Sequence, residues 1–159
     1  MRFSSIFPFA FLGLLFSAHV FGVVPNFSWF PKAPPLPMPA GEVIRVKTVE
    51  ELLRASTEVK SGYTIMLADG HYRMPRYFAI TADNVTLRGE SGDRSKVVLD
   101  GAVSRHGELI GITRAKGVTI ADLTVRNVKW NGIKINSDQG AEKVAIRNCV
   151  IHNVWQRGV

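Results

Sequence analysis

The sequence predicts an all-β chain wound as a right-handed parallel β-helix, a strand solenoid with a short N-terminal capping helix. Three observations carry this expectation. First, Val118-Thr119-Ile120 recurs as Val144-Ala145-Ile146, an offset of 26 residues. At that offset Leu123 matches Cys149, Val125 matches Ile151, Asn127 matches Asn153, Val128 matches Val154, Gly132 matches Gly158 and Ile133 matches Val159. Second, the apolar residues alternate within each unit, Val118 with Ile120, Leu123 with Val125, Ile133 with Ile135. Period two marks strands with one face turned inward. Third, a capped helix precedes the repeat, where a solenoid must cover the apolar end of its first coil. The right-handed sense follows from the preference of parallel crossovers.

The 159 residues suffice for one domain, and 46% hydrophobic with 21% charged residues argues against global disorder. The formal charge of +7 suits an anionic partner such as an acidic polysaccharide, a nucleic acid or a membrane surface. Without a dense Lys/Arg block, a simply basic, solvated surface is the plainer reading. The single cysteine, Cys149, forms no intrachain disulfide, and its match to Leu123 makes it a small core hydrophobe.

The elements follow in order. Met1-Arg2 opens a charged stretch, and Ile6 to Phe16 is almost wholly apolar, as in a secretory signal peptide over 1–22 cleaved after Gly22. An uncleaved anchor or a buried helix are the rivals, but the run is short for a bilayer span of about 20 residues. The destination is then secreted, periplasmic or cell-surface. Residues 23–40 carry Pro25, Pro31, Pro34, Pro35, Pro37 and Pro39 and form an extended linker. The folded part, 41–159, begins with a strand at Glu42-Val43-Ile44-Arg45-Val46. Thr48 and Glu51 make a capping box for a helix whose inner face holds Val49, Leu52, Leu53 and Ser56. Ser61-Gly62 and Asp69-Gly70 are turns around the strand Tyr63 to Leu67.

Val85-Thr86-Leu87 is the same strand one coil before Val118, 33 residues away, so that coil carries an insertion, placed at Gly89 to Lys96. Asn127 and Asn153 share a corner and form a structural amide ladder. Asn131-Gly132 resembles a hairpin turn, but the recurrence of Gly158 makes it the start of a new strand. Trp130 and Trp155 fall one residue out of register and are expected as corner packing.

The chain resembles the right-handed β-helix proteins of the pectin-lyase-like superfamily. The resemblance rests on Ser61-Gly62-Tyr63-Thr64-Ile65-Met66-Leu67-Ala68-Asp69-Gly70-His71-Tyr72, on Asn84-Val85-Thr86-Leu87-Arg88-Gly89, and on Arg126-Asn127-Val128 with His152-Asn153-Val154. The cap is similar to that of polysaccharide lyases of the chondroitinase B and alginate lyase type. It implies β-elimination on an acidic polysaccharide: a cation or basic group neutralises the uronate carboxylate, and a Lys or Arg removes the acidified proton. In such lyases the metal-binding acids and basic residues lie on later coils, so no catalytic residue carries over. The resemblance leaves room for a divalent cation such as calcium in a full-length protein.

Among the residues present, Lys134, Asp138 and Arg157 form the candidate rim of an anionic-sugar groove, with Glu142 nearby. A solvated strand face and loop is the plain alternative. Arg126 and His152 are expected to face solvent, and His71 and His106 show no partner in the sequence. No carboxylate pair recurs on one face, which counts against a two-acid glycosidase. No zinc spacing, phosphate loop or nucleic-acid motif is present, so neither nucleic acid nor, after signal cleavage, membrane is an expected partner. Gly158-Val159 aligns with the start of a strand, so the sequence reads as an N-terminal fragment. A chain ending there would associate end to end to cover its open coil. Two functions follow: an exported polysaccharide lyase, or a non-catalytic carbohydrate-binding module.

Overall fold

A computed structural model describes residues 34–159. The expected signal peptide and linker residues 23–33 lie outside the described residues. The first strand, β1 (Val43–Val46), leads into the helix α1 (Val49–Glu58). The Thr48 hydroxyl accepts the Glu51 amide at 3.2 Å, and the Glu51 carboxylate accepts the amides of Lys47 and Thr48 at 2.7 and 3.3 Å. The Lys47 amide is the main reason the Glu51 carboxyl lies below its ordinary range. Leu52 and Ala55 are buried beneath the helix. Ala55 takes the inner position expected for Ser56, whose hydroxyl returns to the Leu53 carbonyl at 2.8 Å.

Three strands then make each coil. The first contains β2 (Thr64–Leu67), β3 (Gly70–Arg73) and β4 (Phe78–Ile80). The second contains β5 (Thr86–Gly89), β6 (Val97–Asp100) and β7 (Glu108–Thr113). The third contains β8 (Thr119–Ala121), β9 (Thr124–Val128) and β10 (Asn131–Asn136), and β11 (Ala145–Arg147) and β12 (Val150–Val154) open the fourth. The strands stack into three sheets, β1-β2-β5-β8-β11, β3-β6-β9-β12 and β4-β7-β10, with every neighbour parallel. The chain is therefore a parallel β-helix. Ile146 lies beside Ile120 and Val154 beside Val128, the offset read from the sequence. The Asn131-Gly132 pair opens β10 alongside β7 and makes no hairpin. The inserted loop lies between β5 and β6, although Gly89 itself ends β5 and pairs with Leu67.

Stacking like residues produces a continuous interior. Ile65, Leu87 and Ile120 line one wall, Leu99 and Val125 the second, and Ile80, Ile112 and Ile133 the third, all fully buried. Each such side chain contributes about 1.5–3 kcal/mol by leaving water. Cys149 packs against this core, and burial pushes its thiol up to about 11. Tyr72 closes the capped end: its hydroxyl lies 3.1 Å from the Val46 carbonyl and 2.9 Å from that of Ala68.

Residues 34–40 have no regular structure and lie along the outside of the five-stranded sheet, beside Thr64, Thr86 and Thr119. Arg88 donates to the Pro37 carbonyl at 3.1 Å and Arg147 to that of Pro34 at 3.3 Å. The segment thus straps the sheet across its strands. Arg88 is also held by Asp122, 3.2 Å away and nearly buried.

Candidate functional site

The outer face of β4-β7-β10 carries a groove of about 400 Å³, lined by Tyr77, His106, Glu108, Thr113, Trp130, Lys134, Asn136 and Gln139. The register sets its floor. Lys134 on β10 lies beside Gly111 on β7, which lies beside Ala79 on β4, and neighbouring Ile110, Ile112 and Ile133 point into the core. Small floor residues leave room for rings arriving from the corners. A Cβ at Gly111 would collide with the Tyr77 hydroxyl, and one at Gly107 would enter the Trp130 indole. The Tyr77 and His106 rings meet with centroids 6.3 Å apart, tilted by 41°.

The polar groups are tightly tied. Lys134 Nζ is 2.6 Å from Glu108 Oε1, and Asn136 Nδ2 donates to Thr113 Oγ1 at 2.8 Å. The Glu108 hydrogen bond holds the Lys134 ammonium above its ordinary pKa. Burial, reinforced by the Glu108 charge, raises the Tyr77 phenol. Lys134 is therefore a fixed cation at neutral pH, suited to meet a carboxylate and unsuited to abstract a proton. Trp130 is 54% exposed, so one indole face is open to solvent. A half-open aromatic beside fixed donors and acceptors can pack the C–H face of a sugar while its hydroxyls are hydrogen-bonded.

Of the residues singled out from the sequence, Lys134 lies in this groove. Asp138 lies just beyond it in the 3-10 turn Ser137–Gln139, exposed, where its charge helps hold the Lys134 proton. Arg157 belongs to the next coil, its backbone bridged to Asn131, and shares no hydrogen bond or ion pair with Lys134. Glu142 is drawn away to Lys116, 3.3 Å distant. The corner-packing expectation fails for Trp155, which is 85% exposed, whereas the half-exposed Trp130 lays its ring over Gly107. Sequence reasoning missed Glu108, Tyr77, His106 and Trp130 as groove residues. The available signal was that Glu108 precedes Lys134 by 26 residues, the repeat offset, although the strands pair in another register, with Asn131 beside Glu108.

Two further expectations are corrected on the adjacent sheet. His71 has a partner, Asp100, at 2.8 Å, and Arg126 folds onto the same carboxylate at 2.9 Å instead of extending into solvent. A carboxylate in that position draws in every donor within reach. The asparagine column joins it: Asn127 Nδ2 lies 3.0 Å from both Asp100 oxygens, and Asn153 Nδ2 is 2.5 Å from Asn127 Oδ1. Among the described residues no group of three or more His, Cys, Asp or Glu side chains is placed to hold a metal ion. No helix among them is long and apolar enough to cross a membrane.

No family model matches the chain, and no curated protein matches it. Among solved structures, the PL6 family alginate lyase AlyGC is similar, with a TM-score of 0.60 at 20% identity over 79% of this chain. The match covers 18% of the lyase, so this chain spans under a fifth of its length. The likeness shows the fold.

Proposed function

We propose that this chain forms the cap and opening coils of an exported β-helix protein acting on an acidic polysaccharide, with β-elimination as the reaction of the longer protein. The observation that carries this reading is the groove in which the open Trp130 face adjoins the Lys134–Glu108 pair. A uronate ring stacks on the indole, its carboxylate meets the Lys134 ammonium, and its hydroxyls donate to Glu108. The similarity to an alginate lyase supports the same class of substrate. In this reading the proton-abstracting base lies on later coils, because Lys134 is held protonated.

The test mixes a longer form of the protein with alginate, pectate or chondroitin and follows the ultraviolet absorbance of unsaturated uronates. Absence of signal on every acidic polymer overturns the lyase reading. Binding of oligouronates by the 159-residue chain without that signal favours the non-catalytic carbohydrate-binding module, which the engaged Lys134 also permits.

A further inference from the structure

We propose that the outer face of β3-β6-β9-β12 is a second, separate site that binds the oxyanion groups of an acidic glycan, with Arg126 at its centre. This goes beyond the groove, which lies on a different sheet. The register places Arg73, Asp100, Arg126 and His152 abreast, one on each successive strand. His71 lies on the same face of β3 as Arg73. Coils stacked about 4.8 Å apart therefore present a row of cationic or protonatable groups at roughly the spacing of strands.

The single carboxylate in that row is already consumed. Asp100 is 4% exposed although its side chain leaves the core, because donors close over it. It accepts from the Ala102 amide, Asn127 Nδ2, Arg126 Nε and His71 Nε2. That saturation leaves Arg126 with unused donors. Its Nη2 lies 3.2 Å from His71 Nε2. His71 Nε2 sits closer to the carboxylate, at 2.8 Å, and a charge-assisted bond there places the proton on that nitrogen. The Arg126 amino group then faces a donor and finds no acceptor. Its side chain is a third exposed, so an external oxyanion can reach it. Arg73 is exposed, and neither it nor His152 has an ion-pair partner among the described residues.

The chemistry of the face selects the ligand. Its other outward side chains, Val98, Thr124 and Val150, are not aromatic, and the one exposed indole near it among the described residues, Trp155, stands past the end of β12 at the corner. Single-stranded nucleic acid binds mainly by stacking bases on aromatics as well as by charge. A carboxylated or sulfated glycan needs only spaced cations and hydrogen-bond donors, which this face supplies.

The experiment titrates the full chain with an oligouronate hexamer, a sulfated galactan hexasaccharide free of carboxylates, a neutral hexasaccharide and a single-stranded oligonucleotide. Affinity is measured by calorimetry, and the Arg126 Nε–Hε resonance is followed by NMR. The working background is Trp130→Ala, which disables the groove. The double variant Arg73→Gln/His152→Gln leaves the Asp100 cluster intact and is expected to weaken acidic-glycan binding about tenfold, the scale of a lost charged hydrogen bond. A larger loss with the uronate than with the sulfated sugar identifies carboxylate as the preferred group, and the reverse identifies sulfate. The proposal is overturned if the double variant binds both acidic sugars unchanged, if the neutral sugar binds equally, if the oligonucleotide binds more tightly, or if the Arg126 signal stays still. Loss of all binding in Trp130→Ala alone also overturns it while leaving the groove reading standing. Retention of full affinity there counts against the groove and not against this face.

Discussion

Asn153 donates its side-chain amide to Asn127 Oδ1 at 2.5 Å, and both residues hold left-handed backbones, with φ of 51° and 57°. One residue type thus satisfies two demands at a corner: a positive φ, and a donor and acceptor pair that links one coil to the next. Substitution separates the two. Asn127→Gly keeps the backbone and loses the amide, while Asn127→Ala loses both. The glycine variant is expected to cost about 1–2 kcal/mol, and the alanine variant about 1 kcal/mol more. Urea unfolding of the two variants checks the order.

Gly111 controls the groove from its floor. Gly111→Ala is expected to push Tyr77 off the sheet and weaken oligouronate binding about tenfold, with a smaller effect on unfolding. Trp130→Ala is expected to weaken the same binding by a similar factor while leaving the core unchanged, since the indole is half-exposed. Fluorescence titration of parent and variants distinguishes a lost platform from a lost fold.

Asp100 makes the fold sensitive to acid. Despite its burial, hydrogen bonds from Ala102, Asn127, His71 and Arg126 hold its carboxyl far below the ordinary carboxylate range. A depressed folded pKa gives stability that is full above the unfolded value of about 3.9 and is lost as pH falls toward the folded value. Stability is expected to decline below about pH 5, and Asp100→Asn is expected to flatten that decline. At pH 7 the variant is expected to lose about 2–3 kcal/mol, because the Arg126 and His71 donors lose their anion. Thermal unfolding from pH 3 to 7 measures both effects.

Tyr72 gives the opposite sensitivity. Burial pushes its phenol up to about 12. A raised folded pKa gives stability that is full below the unfolded value of about 10 and is lost as pH rises toward 12. Tyr72→Phe is expected to remove this alkaline loss and to cost about 1 kcal/mol at neutral pH through the missing bonds to Val46 and Ala68. Denaturation followed across pH 9 to 12 tests the sign.

The last two coils were readable from sequence because in-register parallel stacking places like residues together, as Val118 to Ile120 and Val144 to Ile146 do. The cap was readable because Thr48 and Glu51 are local partners. The groove was not, because Tyr77, His106 and Trp130 come from corners of unequal length. His71 and Asp100 meet at a separation of 29 residues, which no repeat offset announces. Lys134 was legible as an outward residue between two inward isoleucines, and Glu108 stands at the repeat offset of 26 before it, but β10 pairs with β7 in another register, so the two meet by a diagonal reach that in-register stacking does not announce.

The strap has a consequence for the order of assembly. Arg147 and the Pro34 carbonyl are separated by 113 residues, so the earliest described segment to leave the ribosome meets its last anchor only after β11 has been laid down. Local pairing of successive coils can proceed without it, whereas closing so long a loop is slow. Pro37 can meet Arg88 once β5 is in place, whereas the Pro34 end of the strap must remain unplaced until Arg147 has been laid down. The strap thus closes in two stages, and between them the outer edge of the sheet beyond Arg88 is open to any other extended segment that reaches it first.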